Sequence, residues 1–224
     1  KYVFFGGFRA GQLLPFDREI STQERILDPA LNYDTTHAIM NPQAMCWTDA
    51  QYFNAIAKAN FKALFTDFPI TAMHSWRDML FIFTSGDVWV MRGYRAEDFA
   101  FQRVATGIGC QDASTVCSSD QGVFFGNQGG IYVTTGEGAT CLSRSIEHLF
   151  QQQLPVPTAF SYDTMGRTYF SKDFGLFQFW NERNELWIPV HLRGETGRHQ
   201  WLVFNTLLKE WTTVRYDIGN VEAM

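Results

Sequence analysis

Four cysteines and five histidines are the residues through which this chain could bind a metal ion or carry out redox chemistry. The cysteines form no Cys-x-x-Cys pair, and no histidine lies at ligand spacing from them. Because free cysteine is among the side chains most often buried, we expect reduced thiols in the core, and neither a metal nor another cofactor. The residues concerned are Cys46, Cys110, Cys117, Cys141, His37, His74, His148, His191 and His199.

The common motifs of nucleophilic, phosphate-binding and metal-dependent catalysis are missing from the sequence. It contains no G-x-S-x-G elbow, no G-x-x-x-x-G-K-[ST] loop, no H-E-x-x-H pair and no G-x-G-x-x-G after a strand. We therefore predict that the chain is not an enzyme and that it has no catalytic residues.

One turn motif connects the chain with carbohydrate chemistry. The stretch 118–125 fits the pattern S-x-D-x-G-x-x-[WF] through Ser118, Asp120, Gly122 and Phe125. It resembles the Asp-box turn of sialidase-type β-propellers, in which the Asp and Ser support the turn and take no part in catalysis. A sialidase also needs converging arginines, a tyrosine nucleophile and a carboxylate. A glycan-binding or glycan-cleaving β-propeller is therefore the alternative function. The candidate arginines all fall within one predicted unit of strands: Arg77, Arg92, Arg95 and Arg103.

Six tryptophans offer flat apolar faces on which sugar rings could stack. Most of them lie inside predicted strands, where burial in the core is the commoner role of a large aromatic side chain. We therefore expect core packing for this set: Trp76, Trp89, Trp180, Trp187, Trp201 and Trp211.

The elements that would position these residues are β-hairpins. One is predicted over 79–93 with its turn at Gly86, and a second over 122–138 with its turn at Gly129-Gly130. Glycine favours such turns because it reaches positive φ without steric cost. Further strands are predicted at 71–76, 99–104, 113–119, 176–180, 185–192, 200–205 and 210–216.

Groups of short strands that recur every 40 to 60 residues are typical of β-propeller blades. We therefore predict an all-β fold, a propeller-like array of antiparallel four-stranded meanders. Its blades cover about 71–104, 113–154 and 160–216 within the region 71–224. An ordinary antiparallel sandwich is the alternative fold.

Two short helices and an irregular segment complete the prediction. A capping box at Thr48 begins one helix, and Leu142 to Phe150 form the second. Region 1–70 is thus predicted as N-terminal strands, an irregular segment over 8–45 and a short helix. Because propellers typically have 4–8 blades, either this region supplies further strands or the chain is part of a longer protein.

The stretch 106–150 resembles a segment of tail and head-completion proteins of tailed bacteriophages, particularly short-tailed ones. In those proteins a Gly-x-Gly turn leads into a strand pair, and a Ser-Arg-x-Ile-like helix follows. The later stretch 176–216 resembles their next blade, in which a strand ending in Asn turns tightly into a Trp-bearing strand. The matching residues of the first stretch are Gly107, Gly109, Phe124, Phe125, Gly129, Gly130, Ile131, Tyr132, Ser143, Arg144 and Ile146.

This resemblance implies a structural virion protein, a tail hub, nozzle or adaptor subunit that lines or closes the DNA ejection channel at the head–tail connection. It implies a ring of identical subunits, usually a hexamer, in contact with other tail proteins such as the portal adaptor and a tail fibre or spike. Double-stranded DNA would pass without sequence-specific contact. The protein would belong to the virion and be assembled in the bacterial host cytoplasm.

Charge and hydropathy agree with this expectation. The net charge of −5 gives no basic surface for binding nucleic acid, and a slightly negative channel would let DNA slide. No run of about 18 apolar residues occurs, so no membrane-spanning segment is predicted. A cellular scaffold that recruits partners through a propeller face is a further alternative, and it would be a stable closed monomer.

Overall fold

The computed structural model describes most of the chain in several stretches. They are residues 2–6, 42–48, 60–110, 112–127, 129–149, 177–190 and 199–216. Within them the fold is all-β with almost no helix, as predicted, and each sheet is antiparallel.

The strands form four sheets, and in each sheet the strands pair in chain order. Sheet 1 contains β1 (Phe4–Gly6), β2 (Ala44–Trp47) and β3 (Phe61–Ala63). Sheet 2 contains β4 (Ile70–Trp76), β5 (Met79–Thr84), β6 (Asp87–Arg92) and β7 (Ala100–Thr106). Sheet 3 contains β8 (Val116–Ser119), β9 (Gly122–Asn127), β10 (Gly130–Thr134) and β11 (Ala139–Cys141). Sheet 4 contains β12 (Gln178–Trp180), β13 (Glu185–Val190), β14 (His199–Asn205) and β15 (Glu210–Tyr216).

Both predicted hairpins are confirmed. Between β5 and β6 the Thr84 hydroxyl accepts the backbone N–H of Asp87 at 2.8 Å and donates to the Asp87 carbonyl at 3.1 Å, which closes the turn at Gly86. Between β9 and β10 the register pairs Asn127 with Gly130. Gly130 has a φ of +142°, a conformation that glycine adopts easily and other residues rarely do.

Of the irregular segment predicted over 8–45, residues 8–41 lie outside the described residues. Its last two residues, Ala44 and Met45, are not irregular, because they belong to the central strand of sheet 1, Ala44–Trp47, in which all four side chains are buried. A four-residue apolar run shows no period-2 alternation when both faces are covered, so the sequence carries no strand pattern here.

The sheets stack face to face in chain order around three apolar layers. The layer between sheets 1 and 2 holds Met45, Leu64, Ile70, Ile82, Trp89 and Met91. The layer between sheets 2 and 3 includes Phe81, Phe83, Val88, Val90, Val123 and Phe125. The layer between sheets 3 and 4 holds Phe124, Ile131, Phe177, Leu186, Ile188, Leu202 and Phe204. At one edge of the stack the first strands β4, β8 and β12 are neighbours.

The second predicted helix is not regular. Ser143–Leu149 forms short 3-10 turns with a kink at Ile146 (φ −115°, ψ 21°). The sheet holds this segment, since the Ser143 hydroxyl accepts the N–H of Ile131 at 2.9 Å and Leu142 donates to the Ile131 carbonyl at 2.8 Å. Most of the first predicted helix, 49–59, lies outside the described residues. No helix in the described stretches is long and apolar enough to cross a membrane.

Candidate functional site

The Asp-box residues lie where sheet 2 meets sheet 3. The Ser118 hydroxyl on β8 is hydrogen-bonded to Nε2 of His74 on β4 at 2.9 Å. The turn itself is supported by Ser119, whose hydroxyl accepts the N–H of Gln121 at 3.0 Å. Gly122 has a φ of +153°, and a side chain there would crowd the Thr134 carbonyl. The motif therefore forms the predicted turn, while its first serine ties two sheets together.

Three more hydrogen bonds extend this contact along the two sheets. The indole of Trp76 donates to the Ser119 carbonyl at 2.6 Å, and Arg77 donates to the Asp120 carbonyl at 2.9 Å. Arg92 donates to the Gly136 carbonyl at 3.0 Å. Side chains of sheet 2 thus bind backbone carbonyls of sheet 3, and these hydrogen bonds join the two sheets.

Three of the four candidate arginines have separate partners. Arg77 and Arg92 bind different carbonyls of sheet 3, and Arg103 lies 3.7 Å from the Asp87 carboxylate and 5.5 Å above the Trp89 ring. Arg95 is exposed beside a 3-10 turn. In the part of the chain that the structure describes, these four residues do not share an anion-binding point of the kind that a sialidase requires.

Asp87 is a buried acid that the sequence did not single out. It is 1% exposed, its Oδ2 accepts the Thr66 hydroxyl at 2.7 Å, and its Oδ1 has no hydrogen-bond partner among the described residues. An aspartate directly after Ser-Gly in a hairpin is typical of an exposed turn, so the local pattern gave no sign of burial.

The thiols are free, as predicted. Cys46 and Cys110 are buried, and Cys117 and Cys141 are half-buried. Burial raises the pKa of Cys46 to about 11 and that of Cys117 to about 12, and it also raises the pKa of Cys110. These three thiols are therefore protonated and poorly nucleophilic at neutral pH.

The described residues do not form a metal-binding cluster. Within the described stretches, no group of three or more histidine, cysteine, aspartate or glutamate side chains could hold a metal ion. The side chains of His37, His148, His191 and His199 lie outside the described part.

The tryptophans separate into buried and open positions. Trp76 and Trp89 are buried, as predicted, and Trp211 packs 4.8 Å from the Phe204 ring and donates to the Leu142 carbonyl at 3.1 Å. The prediction of core packing is wrong for Trp180, which is 42% exposed, and for the half-buried Trp187 and Trp201, which line the same cleft. Three tryptophans border an open cleft of about 570 Å³ on sheet 4, which is lined by Gln178, Phe179, Trp180, Asn181, Glu182, Trp187 and Trp201.

Comparison with known proteins gives no family: no family model matches the sequence, and no curated protein matches it. In its described residues the chain is an all-β protein of four stacked antiparallel sheets, with a group of polar contacts between sheets 2 and 3 and an aromatic cleft on sheet 4.

The His74–Ser118 contact predicts a pH effect on stability. Burial lowers the pKa of His74, so below about pH 6.5, the usual pKa of the side chain, the unfolded chain takes up a proton that the folded chain resists. The free energy of unfolding should therefore fall as the pH drops from 7 to 5. In His74→Gln, whose amide can still bond Ser118, we expect a smaller loss of Tm between these pH values than in the unaltered protein. Calorimetry at both pH values measures the difference, and equal losses in the two proteins would contradict the prediction.

Proposed function

We propose that this chain is a structural subunit of a bacteriophage tail, a propeller-like hub, nozzle or adaptor protein that lines or closes the DNA ejection channel. One observation carries the proposal. Consecutive antiparallel meanders stack face to face, and their first strands β4, β8 and β12 lie side by side. Blades of a propeller are related in this way, and the resemblance implies such blades.

The residues that carry the resemblance have structural roles. Gly109 sits against the backbone of the β5–β6 turn, and its carbonyl accepts the side-chain amide of Asn127 at 3.1 Å. Gly130 faces the hydroxyl of Ser143, which itself holds β10. Neighbouring Phe124 and Phe125 enter the layers on opposite faces of sheet 3. Residues of this kind stabilise turns and core packing. They support a shared fold and give no support to a shared catalytic site.

Exposed apolar side chains support assembly with other subunits. Large exposed hydrophobic side chains, such as the adjacent Leu207 and Leu208, are candidates for contacts between subunits, and repeated subunits commonly close into rings. We propose a ring of identical copies, six as the resemblance implies, that meets the portal adaptor and a tail fibre or spike. The exposed residues outside the cleft of sheet 4 are Val3, Phe5, Phe65, Phe68, Tyr94, Leu207 and Leu208.

Electrostatics and thiol chemistry are compatible with this role. With 23 acidic residues against 18 lysines and arginines, the subunit would give passing double-stranded DNA weak repulsion and no specific contact. Free thiols suit assembly in the reducing cytoplasm of a bacterial host, before the protein becomes part of the virion.

Light scattering tests the assembly. We expect the purified chain, alone or with the tail proteins of the same phage, to form a closed ring near six times the 25.7 kDa of one chain. In a gel mobility-shift assay at 150 mM salt, the protein should not change the mobility of double-stranded DNA. A monomer under all these conditions would favour the cellular scaffold, and tight DNA binding would contradict a channel.

The second candidate function is a glycan-binding or glycan-cleaving propeller. The separate partners of Arg77, Arg92 and Arg103 argue against sialidase-type cleavage. The aromatic cleft of sheet 4 is the observation that favours binding. A hydrolysis assay with bacterial surface glycan should therefore release no glycan fragments. Release of such fragments would contradict the proposal that the chain is a structural protein.

A further inference from the structure

Sheet 4 has one face in the core and one face open. Phe179, Leu186 and Ile188 point into the layer shared with sheet 3. Because strand residues alternate between faces, Trp180, Trp187 and Trp201 lie on the opposite face. The register confirms this, since Trp187 is paired with Gln178 on β12 and Trp201 with Pro189 on β13.

The three indoles form a row across three strands. The ring centroids of Trp180 and Trp187 are 6.2 Å apart, and those of Trp187 and Trp201 are 6.0 Å apart. The cleft above them, about 570 Å³, has the size of typical small-ligand sites, which measure roughly 300–1,000 Å³. The rings are inclined to one another by 46° and 64°, so the row offers adjacent aromatic surfaces at different angles to one ligand.

Polar groups surround this aromatic row. Gln178, Asn181 and Glu182 line the cleft, and the Trp187 indole is held by a hydrogen bond to the Glu185 carboxylate at 3.0 Å. The Arg183 guanidinium lies 4.3 Å from the centre of the Trp180 ring. The cleft thus combines fixed aromatic faces with amide and carboxylate groups that can bond hydroxyls.

This composition differs from the three layers between sheets. Those layers are built mainly from phenylalanine and aliphatic side chains. If another sheet docked on the open face in the same way, the Gln178 amide would be dehydrated, and the Glu185 carboxylate would keep only its hydrogen bond from Trp187. The open face is therefore suited to a ligand that is apolar on one side and rich in hydroxyls at its edge.

We propose that the cleft binds a neutral oligosaccharide. The C–H faces of successive sugar rings pack on Trp180 and Trp187, and Gln178 and Asn181 bond their hydroxyls. An acidic glycan is disfavoured, because Glu182 lines the cleft and the Glu185 carboxylate lies beside it, bonded to Trp187. The proposal is independent of a role in a phage tail.

Tryptophan fluorescence and calorimetric titration test the site. The probes are cellohexaose, maltohexaose, laminarihexaose and chitohexaose, with oligogalacturonate as the acidic comparison. We expect saturable binding of at least one neutral probe and none of oligogalacturonate. Trp180→Ala removes an exposed side chain and should leave the fold intact, yet weaken binding at least tenfold, while Trp180→Phe should retain most of it.

Tyr94→Ala is the matched control, because Tyr94 is an aromatic residue 79% exposed in the segment that connects β6 and β7 of sheet 2. It should bind the probe like the unaltered protein. The proposal is overturned if none of the neutral probes binds, or if Tyr94→Ala and Trp180→Ala lose binding equally. It is also overturned if Trp180→Ala dissociates an oligomer and leaves saccharide binding unchanged, since the face would then contact a second copy. Failure of saccharide binding with an intact ring would leave the tail proposal standing.

Discussion

Replacing Phe125 with alanine should lower the free energy of unfolding by about 4 kcal/mol, within the range found for large aromatic side chains in cores. Phe125 is fully buried between sheets 2 and 3. Its ring centroid lies 5.0 Å from that of Phe83 and 5.6 Å from that of Tyr132. The deletion removes buried apolar area and leaves a cavity that two paired sheets cannot easily close. Urea unfolding of both proteins measures the difference.

Phe65→Ala provides the control for this loss. Phe65 is 83% exposed, so its removal should change the free energy of unfolding by less than about 0.5 kcal/mol. A Phe125→Ala variant as stable as the control would show that sheets 2 and 3 are not packed through this layer in solution.

The second large effect is expected for Gly109→Ala, with a loss of about 3 kcal/mol. A methyl group at Gly109 would overlap the Thr84 carbonyl oxygen and the backbone of Ser85 and Gly86. These atoms belong to the β5–β6 turn, and next to it Cys110 donates to the Thr84 carbonyl at 2.9 Å. Since backbone atoms cannot move aside like the end of a side chain, the turn and the segment must separate. Thermal and urea unfolding report the loss.

Gly138→Ala is the matched control, because a methyl group there has no atom within 4 Å. It should be neutral or stabilise the protein by up to about 1 kcal/mol, since alanine restricts the unfolded chain. Equal stabilities of Gly109→Ala and Gly138→Ala would mean that the Gly-x-Gly segment does not contact the hairpin turn.

Much of sheets 2 to 4 is predictable because the deciding signals are local. Glycine turns, flanked by short apolar runs, specify the β5–β6 and β9–β10 hairpins. The neighbouring phenylalanines Phe124 and Phe125 also indicate a strand with both faces covered, since one must point to each side.

The remaining features depend on partners far away in sequence. Strand β2 is identified as a strand only by its pairing with β1 and β3, which are not adjacent to it in sequence. The segment after Leu142 follows a helical pattern, but the bond from Ile131 to the Ser143 hydroxyl overrides that local preference. The open position of Trp180 depends on which face of sheet 4 meets sheet 3. No short window of sequence contains that information.

The pairing of strands in chain order has a consequence for biosynthesis. In sheets 2, 3 and 4 every strand pairs with the strand that precedes or follows it, so a sheet can form as soon as its own residues have left the ribosome. Sheet 2 is complete once residue 106 has emerged, but its Phe81 and Phe83 remain uncovered until sheet 3 is made. Each newly made sheet then covers the one before it, so the order of translation is also the spatial order of the sheets.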